Sequence, residues 1–335
     1  MNKTNGMSFA LKRVAMKPVR AKYLIVPLAA FLFLAPYPAQ ASTEVKSTFL
    51  YSLANFHGKL PYNEVRVRVD RARDEAYVVE RGIVRVFNDS GMEFFSFGDN
   101  PELESIYDLA VDEKGDISLL SFNLSHPEDP KYFLIHCNYR GDVKEKLTVA
   151  GLPVEFSGFF PNYMFYRDGK FLFLSSSRMQ VVITDTSGVF QRGYDLAKIL
   201  EIPEKDRPNI EIFGFNLDSE GNMLFTIPVL FQAYVVSPDG KVAGSFGKAG
   251  SAPGMFGIVC GIAKDDQGNY LVVERLRSVV MVFDKEFRFL QEFGYRGGKP
   301  GNLVRPNEVA MGNGGKLYVT QVRNQGVSVF TVTNN

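Results

Sequence analysis

The sequence has no tryptophan, two cysteines and three histidines among its 335 residues. Without a Cys-x-x-Cys-His motif it has no attachment site for a c-type haem. Its histidines, His57, His126 and His136, are too few to favour a zinc site with three imidazole ligands. A Ser/His/Asp order, a glycine-rich phosphate loop and a hydride-cofactor fingerprint are also missing. These absences point away from the common haem, zinc and nucleotide-dependent enzymes.

Acidic residues are absent from the first 43 positions, where lysine and arginine occur six times. This stretch contains an apolar run at residues 23–34 and then Ala39-Gln40-Ala41, a small-x-small pattern. The arrangement is typical of an export signal, and the run is shorter than the ~20 residues of a membrane-spanning helix. We predict an export signal over residues 1–41 and a mature domain over 42–335, located in the periplasm or outside the cell. An uncleaved N-terminal anchor is the alternative.

The basic leader hides the charge of the remaining chain. Without residues 1–41, 32 lysines and arginines face 37 aspartates and glutamates. Such a mildly acidic domain gives no support for general binding to nucleic acid or to an anionic membrane. We therefore expect no nucleic-acid partner. We also expect no stable membrane span after the signal is removed, and a monomeric protein.

Two stretches, residues 246–283 and 293–330, are copies of one unit at a constant offset of 47 residues. Periods of about 40–50 residues with short strands between glycine-rich turns are typical of propeller blades. The chain after position 41 accommodates six such units. The matching positions are Phe246-Gly247 with Phe293-Gly294, Pro253-Gly254 with Pro300-Gly301, Ala263 with Ala310, Val272 with Val319 and Phe283 with Phe330. The predicted fold is all-β, a six-bladed β-propeller of four-stranded antiparallel blades.

The two ends of the domain predict how the ring closes. A lone strand at residues 48–56 precedes the first full unit, whereas the last unit ends one strand short after residues 327–332. We predict that the N-terminal strand completes the last blade, because this removes two exposed strand edges. Cys137 and Cys260 then fall in blades two and five, too far apart for a disulfide. Two separate buried thiols are expected.

The unit at residues 246–284 closely resembles the NHL repeat. In order it reads Phe-Gly, Pro-Gly-x-Phe, Gly-Ile-Ala-x-Asp-x-x-Gly-Asn, Leu-Val-Val and Val-x-Val-Phe-Asp. The resemblance is strong over residues 244–332, fair over blade one, and limited to strand and turn pattern in blades two to four. It implies a six-bladed propeller. The chain departs from the family pattern at Glu274 and Gln321, where an aspartate is usual, and at Val279 and Gly326, where an arginine is usual.

Similar propellers include metal-dependent lyases and lactonases, and those that resemble the NHL type bind zinc through several histidines near the channel. In propellers generally, the loops into each first strand and the loops between strands two and three surround one mouth of the channel. Two insertions fall there, at residues 125–131 and 194–209. In the second, Asp195 is expected to cap a short helix at 196–200. Loops longer than the repeat requires often bind ligands, although unconstrained drift explains them as well.

Charged residues also align on the first strands of neighbouring blades. Glu308 of blade six, Glu64 or Arg66 of blade one and Asp108 of blade two occupy matching positions. They could hold a polar ligand, or they could pair with one another because a buried charge needs a partner. A calcium site built from Glu308, Asn307 and Asp108 is a further alternative.

A second charged set follows the second strand of three blades, at Glu80-Arg81, Glu274-Arg275 and residues 321–323. We predict a non-catalytic module that binds a protein or peptide partner, without a cofactor. A calcium-dependent hydrolase or lyase is the alternative, and a sugar or cell-wall ligand is a weaker third reading. The predicted binding residues are Glu64, Arg66, Asp108, Asn307, Glu308, Glu274, Arg275 and Arg323.

Overall fold

The computed structural model describes residues 44–59, 65–123, 131–322 and 325–334. The predicted export signal, Glu64, Arg323 and all but the last residue of the 125–131 loop, including His126, lie outside these ranges. No helix within the described ranges is long and apolar enough to cross a membrane.

The chain begins with β1 (Val45–Ser52) and a small hairpin of β2 (Ala54–Asn55) and β3 (Gly58–Lys59). Blade one contains β4 (Arg66–Asp70), β5 (Glu75–Glu80), β6 (Ile83–Phe87) and β7 (Glu93–Phe97). Blade two contains β8 (Ser105–Val111), β9 (Ile117–Asn123), β10 (Lys131–Cys137) and β11 (Val143–Leu147). Blade three contains β12 (Tyr163–Arg167), β13 (Lys170–Ser175), β14 (Gln180–Asp185) and β15 (Phe190–Asp195).

Blade four contains β16 (Gly214–Leu217), β17 (Met223–Ile227), β18 (Gln232–Val236) and β19 (Val242–Phe246). Blade five contains β20 (Val259–Lys264), β21 (Tyr270–Glu274), β22 (Val279–Phe283) and β23 (Phe289–Phe293). Blade six contains β24 (Pro306–Met311), β25 (Lys316–Gln321) and β26 (Val327–Asn334), together with β1. Helical segments are short: α1 (Leu196–Ile199) and 3-10 turns at Pro101–Leu103, Val154–Phe156, Arg207–Asn209, Pro228–Leu230 and Asn313–Gly315.

The N-terminal strand completes the last blade, which confirms the predicted closure. β1 pairs antiparallel with β26 from Val45–Asn334 to Ser52–Ser328, with a bulge between Phe49 and Tyr51. The strand lies a few residues earlier than predicted, because the chain folds into the β2–β3 hairpin after Ser52. The predicted six blades of four antiparallel strands are also confirmed.

The hydrophobic core lies between neighbouring blades. One cluster joins Val273 and Val280 of blade five to Val319 and Phe330 of blade six, and Val45 of β1 belongs to it. Another joins Leu53, which is fully buried, to residues of blades one and six. Burying a side chain of this size contributes about 1.5–3 kcal/mol. Each blade therefore depends on its neighbours, and the closing strand carries part of two blade interfaces.

Two smaller predictions are also confirmed. Both cysteines are free and buried, and burial raises the pKa of each thiol to about 12. The short helix α1 forms as predicted but ends at Ile199. Asp195 caps it, because its side chain accepts a hydrogen bond of 2.9 Å from the backbone N–H of Lys198.

Candidate functional site

The first strands of all six blades line a central channel. A cavity of about 310 Å³ lies at one end of it, beside the turns between strands one and two. At this end Lys264 of blade five pairs with Asp218 of blade four at 3.1 Å. Burial alone would raise the pKa of Asp218, but hydrogen bonds from Asn222 and Lys264 outweigh burial and hold that pKa below its ordinary value. The pair is thus ionised at neutral pH and ties two blades together.

Four charged side chains meet near the opposite end of the channel. Arg66 Nη1 lies 3.3 Å from Asp108 Oδ2 and 3.9 Å from Glu308 Oε1. Arg68 Nη2 lies 2.6 Å from Asp108 Oδ2, and its Nη1 lies 4.0 Å from Glu308 Oε2. The structure thus brings together Arg66, Asp108 and Glu308, as their aligned positions predicted. It adds Arg68, which sequence reasoning missed although it follows Arg66 by two residues on β4 and therefore points to the same face.

Asp108 is the best-satisfied member of this charge cluster (Arg66, Arg68, Asp108 and Glu308). Besides the two guanidinium groups, its carboxylate accepts the backbone N–H of Met164 at 2.8 Å and that of Leu109 at 2.9 Å. Its side chain has no exposed surface. A fully buried carboxylate is stable only with such partners, so Asp108 links blades one, two and three.

Glu308 is held more loosely. Both of its contacts with arginines are at 3.9 Å or longer, and its Oε2 atom is buried without a hydrogen-bond partner among the described residues. A buried acceptor without a hydrogen bond is energetically costly, so Glu308 is less well stabilised than Asp108.

Aromatic rings fix the two guanidinium groups. Arg66 lies over the ring of Tyr163 at 3.9 Å and near that of Tyr107 at 5.1 Å, and Arg68 lies over Phe165 at 4.7 Å. Burial lowers the pKa of Arg66, but Glu308 and Asp108 more than offset it and raise that pKa above its ordinary value. Burial also raises the pKa of Tyr163, whose hydroxyl donates to the Phe213 carbonyl at 2.9 Å. Arg66 is therefore a fixed positive charge.

A second cavity, of about 470 Å³, opens at this mouth of the channel. Its described lining includes Arg66, Glu308 and Asn307, together with Arg275 and Arg81 from the loops after the second strands. Arg275 Nη2 donates to the side-chain oxygen of Asn307. The structure therefore brings four of the eight predicted binding residues, Arg66, Arg275, Asn307 and Glu308, to one mouth, with Asp108 beside Arg66. Glu64 and Arg323 lie outside the described residues.

Glu274 has a different setting from the other predicted binding residues. It has no exposed surface, and its carboxylate accepts the backbone N–H groups of Ile258, Leu276 and Arg277 at 2.8, 3.2 and 2.7 Å. Gln321, at the matching position of blade six, likewise accepts the backbone N–H of Val304 at 2.7 Å. At both positions the side-chain oxygen ties adjoining loop backbone to the blade, a role that either a carboxylate or an amide oxygen can fill.

The 194–209 insertion is folded against the body of the propeller. Leu196, Ala197 and Ile202 are buried in a core cluster that spans blades three and four. Asp195 also pairs with Arg207 at 3.4 Å. Much of this insertion therefore serves packing.

His136 lies away from the channel mouth, on β10, with Ser118 Oγ and the Thr186 carbonyl each 2.8 Å from its ring nitrogens.

We define the mouth face by the loops that surround this cavity. Its described residues are 65, 81–82, 98–104, 151–162, 176–179, 196–213, 228–231, 247–258, 275–278, 294–305, 322 and 325–326. Residues 53–59 and 148–150 are not counted, because Ala54 and Ala150 bridge to Met92 and Val189 in turns of the opposite face. Six of the 13 large hydrophobic residues exposed in the described chain lie in these loops, and Tyr107 lines the mouth cavity; the six are Val154, Phe213, Val229, Phe231, Leu276 and Tyr295. The turns of the opposite face carry two, Tyr139 and Val189, and Val242 begins β19 directly after such a turn. The longer loops of the mouth face thus carry more of the exposed large apolar side chains than the turns of the opposite face do.

No family model matches the chain. Over 77 residues it is 35% identical to the protein brain tumor of Drosophila melanogaster. This match covers 23% of the chain and only 7% of that protein.

Solved structures share the fold at low sequence identity. A protein of unknown function from Bacteroides thetaiotaomicron has a TM-score of 0.58 at 10% identity, over 87% of this chain and 77% of the other. An auxiliary nutrient binding protein from Bacteroides ovatus has a TM-score of 0.56 at 12% identity, over 87% of this chain and 77% of the other. A catalytically inactive virginiamycin B lyase from Staphylococcus aureus, in a structure with quinupristin, has a TM-score of 0.52 at 13% identity. The match covers 82% of this chain and 84% of the other. Identities this low establish the propeller fold and nothing finer.

Proposed function

We propose that the protein is an exported, non-catalytic propeller of the NHL type that binds a protein or peptide partner through its mouth face. The observation that carries this proposal is the larger number of exposed large hydrophobic side chains on that face. Large apolar groups rimmed by polar residues are typical of protein-binding surfaces. The opposite face, built from turns rich in Asp, Asn, Gly and Lys, offers few such groups.

The chemistry of the channel also favours binding over catalysis. The fold by itself favours neither binding nor catalysis, because the solved structures that share it include both a nutrient binding protein and a lyase. A calcium site or a general base needs carboxylate oxygens that are free to face a cation or a substrate. Asp108 accepts four hydrogen bonds and is not free in this sense. No cluster of three metal-ligating side chains occurs within the ranges that the structure describes.

The alternative is a calcium-dependent hydrolase or lyase, and one observation favours it. The Oε2 atom of Glu308 accepts no hydrogen bond from the described residues, although Arg68 Nη1 lies 4.0 Å away. A cation needs several oxygen ligands, however, and two guanidinium groups stand within 4.0 Å of this carboxylate. Their positive charge opposes a second cation at the same place.

Two double substitutions, one on each face and at residues of comparable exposure, test the proposal. The doubly substituted protein Leu276→Asp/Tyr295→Asp should lose at least about tenfold in affinity for its partner, because charges would replace exposed apolar contacts. Tyr139→Asp/Val242→Asp, which alters comparably exposed residues on the opposite face, should bind as the unchanged protein does. The measurement is affinity capture from exported proteins, followed by a binding titration with the captured protein. A partner that both variants bind equally well, or that only the Tyr139/Val242 variant loses, would overturn the assignment of the mouth face.

A further inference from the structure

A cleft of about 490 Å³ lies between blades three and four and opens on the face opposite the mouth. Every strand and turn of these two blades lies within the described residues. Hydrogen bonds join the blades on both sides of the cleft. Near the channel, Arg167 donates to the carbonyls of Asp218 and Ser219 at 2.9 and 2.8 Å. Near the outer strand, the Tyr194 hydroxyl donates to the Pro238 carbonyl at 2.5 Å. The cleft is therefore a fixed feature of the folded protein.

The walls of this cleft are largely aliphatic. Leu172 and Ile183 come from blade three, and Leu217 and Met223 come from blade four. All four belong to the core cluster of these blades or pack against it. Ile183 and Leu217 are only half-buried, so they present apolar surface to a molecule in the cleft, whereas Leu172 and Met223 lie deeper. Covering such surface is favourable in proportion to its area, so an alkyl chain suits these walls.

Two cations at the rim of the cleft have no ionic partner. Lys170 and Arg192 both line it and are exposed, and within blades three and four neither has a carboxylate within 4.0 Å. The guanidinium group of Arg192 lies 4.8 Å from the centre of the Tyr194 ring, which keeps it beside the cleft. Asp185, opposite Lys170 in the sheet, is engaged instead by Gln191 Nε2 at 3.1 Å. Both cations are thus available to an anion.

The two carboxylates that line the cleft already have partners. Asp168 pairs with Arg167 at 3.1 Å, and Glu220 pairs with Lys264 of blade five at 3.3 Å. An anion at the rim therefore meets no unpaired negative charge among the lining residues. Clefts of this size, with apolar walls and a few polar groups, are typical of small-molecule sites.

We propose that this cleft binds a medium-chain carboxylate. The alkyl chain lies between the two blades, against Ile183 and Leu217, and the carboxylate lies between Lys170 and Arg192. A guanidinium group matches a planar carboxylate through two parallel hydrogen bonds, and the ammonium group of Lys170 adds a second positive charge. This site is separate from the mouth face and does not depend on the protein partner proposed for that face.

Octanoate is a suitable probe, because acetate keeps only its charged head and 1-octanol keeps only its chain. Each compound is titrated into the purified protein by calorimetry at constant ionic strength. Octanoate should bind saturably at one molecule per chain, and hexanoate about tenfold more weakly, since each buried methylene group contributes about fourfold in affinity. Acetate and 1-octanol should not saturate. Octanoate that binds no better than 1-octanol would overturn the role of the cations, and octanoate that binds no better than acetate would overturn the role of the apolar walls.

Substitutions locate the site. Arg192→Gln and Lys170→Gln should each weaken octanoate binding about tenfold, since each removes a charge-assisted hydrogen bond. Arg140→Gln is the matched control, because Arg140 is also exposed and lies 5.3 Å from the ring centre of Tyr139, but does not line the cleft. All three arginine and lysine side chains are exposed, so the variants should melt as the unchanged protein does.

Equal octanoate affinity in the Arg192, Lys170 and Arg140 variants would overturn the site. The titrations contain no partner protein, and the substitutions lie away from the mouth face. This result and that of the capture experiment are therefore independent.

Discussion

A protein that lacks residues 42–58 is expected to lose its cooperative thermal unfolding transition. The deletion removes β1, whose pairing with β26 closes the ring, and with it the buried side chains of Val45 and Leu53. Two such side chains and their neighbours contribute about 5 kcal/mol, comparable with the ~5–15 kcal/mol of total stability of a typical domain. Circular dichroism and calorimetric melts measure the loss.

Two controls separate closure from a general effect of shortening the chain. A synthetic peptide of residues 44–59 should restore the transition in a concentration-dependent manner, because a missing strand can be supplied in trans. Leu53→Asp, directly after β1, should be strongly destabilising because Leu53 is fully buried, whereas Leu50→Asp within β1 should be nearly neutral because Leu50 is 40% exposed. A truncated protein that melts like the full chain would show that β1 does not hold the ring closed.

Replacing Asp108 by alanine is expected to lower the free energy of unfolding by about 3–5 kcal/mol. The substitution would leave Arg66 and Arg68 with only the loosely held carboxylate of Glu308, and would remove the acceptor for the Met164 backbone N–H. Denaturant titration measures the change. Asp266→Ala, which breaks the exposed pair with Arg71, should cost at most about 1 kcal/mol.

A second substitution tests whether uncompensated positive charge is the cause. Adding Arg68→Met to Asp108→Ala should recover part of the lost stability, since one unpaired guanidinium is then removed. The two changes should therefore couple by about 1–3 kcal/mol in a double-mutant cycle. Simple additivity, or a cost of less than about 1 kcal/mol for Asp108→Ala, would show that the charge cluster does not stabilise the fold.

The fold was predictable because its signal is local and repeated. The 47-residue offset, the glycine turns and the incomplete last unit predict the blades and the closing strand before any coordinates are known. Aligned first-strand positions likewise predicted that Arg66, Asp108 and Glu308 converge. These features depend on strand alternation and on the order of the blades, which a sequence carries directly.

The contacts within the channel were less predictable, because they depend on how far each side chain reaches across it. Arg68 was missed, although its two-residue spacing from Arg66 placed it on the same face of β4. The stacking of Arg66 on Tyr163 joins blades one and three and has no signal in either blade alone. Glu274 was predicted at the rim from its place after the second strand, but its burial and three backbone hydrogen bonds depend on the fold of the adjoining loops.

The charged side chains Arg66, Arg68, Asp108 and Glu308 pair with one another in the channel, and we propose that binding is left to the mouth face. The metal content of the purified protein, together with its melting temperature before and after a chelator, tests this claim most directly. We expect no stoichiometric divalent cation and no change in melting temperature, because Arg66 and Arg68 already neutralise Asp108 and Glu308. One tightly bound calcium ion per chain, whose removal lowers the melting temperature, would contradict the account and favour a metal-dependent enzyme.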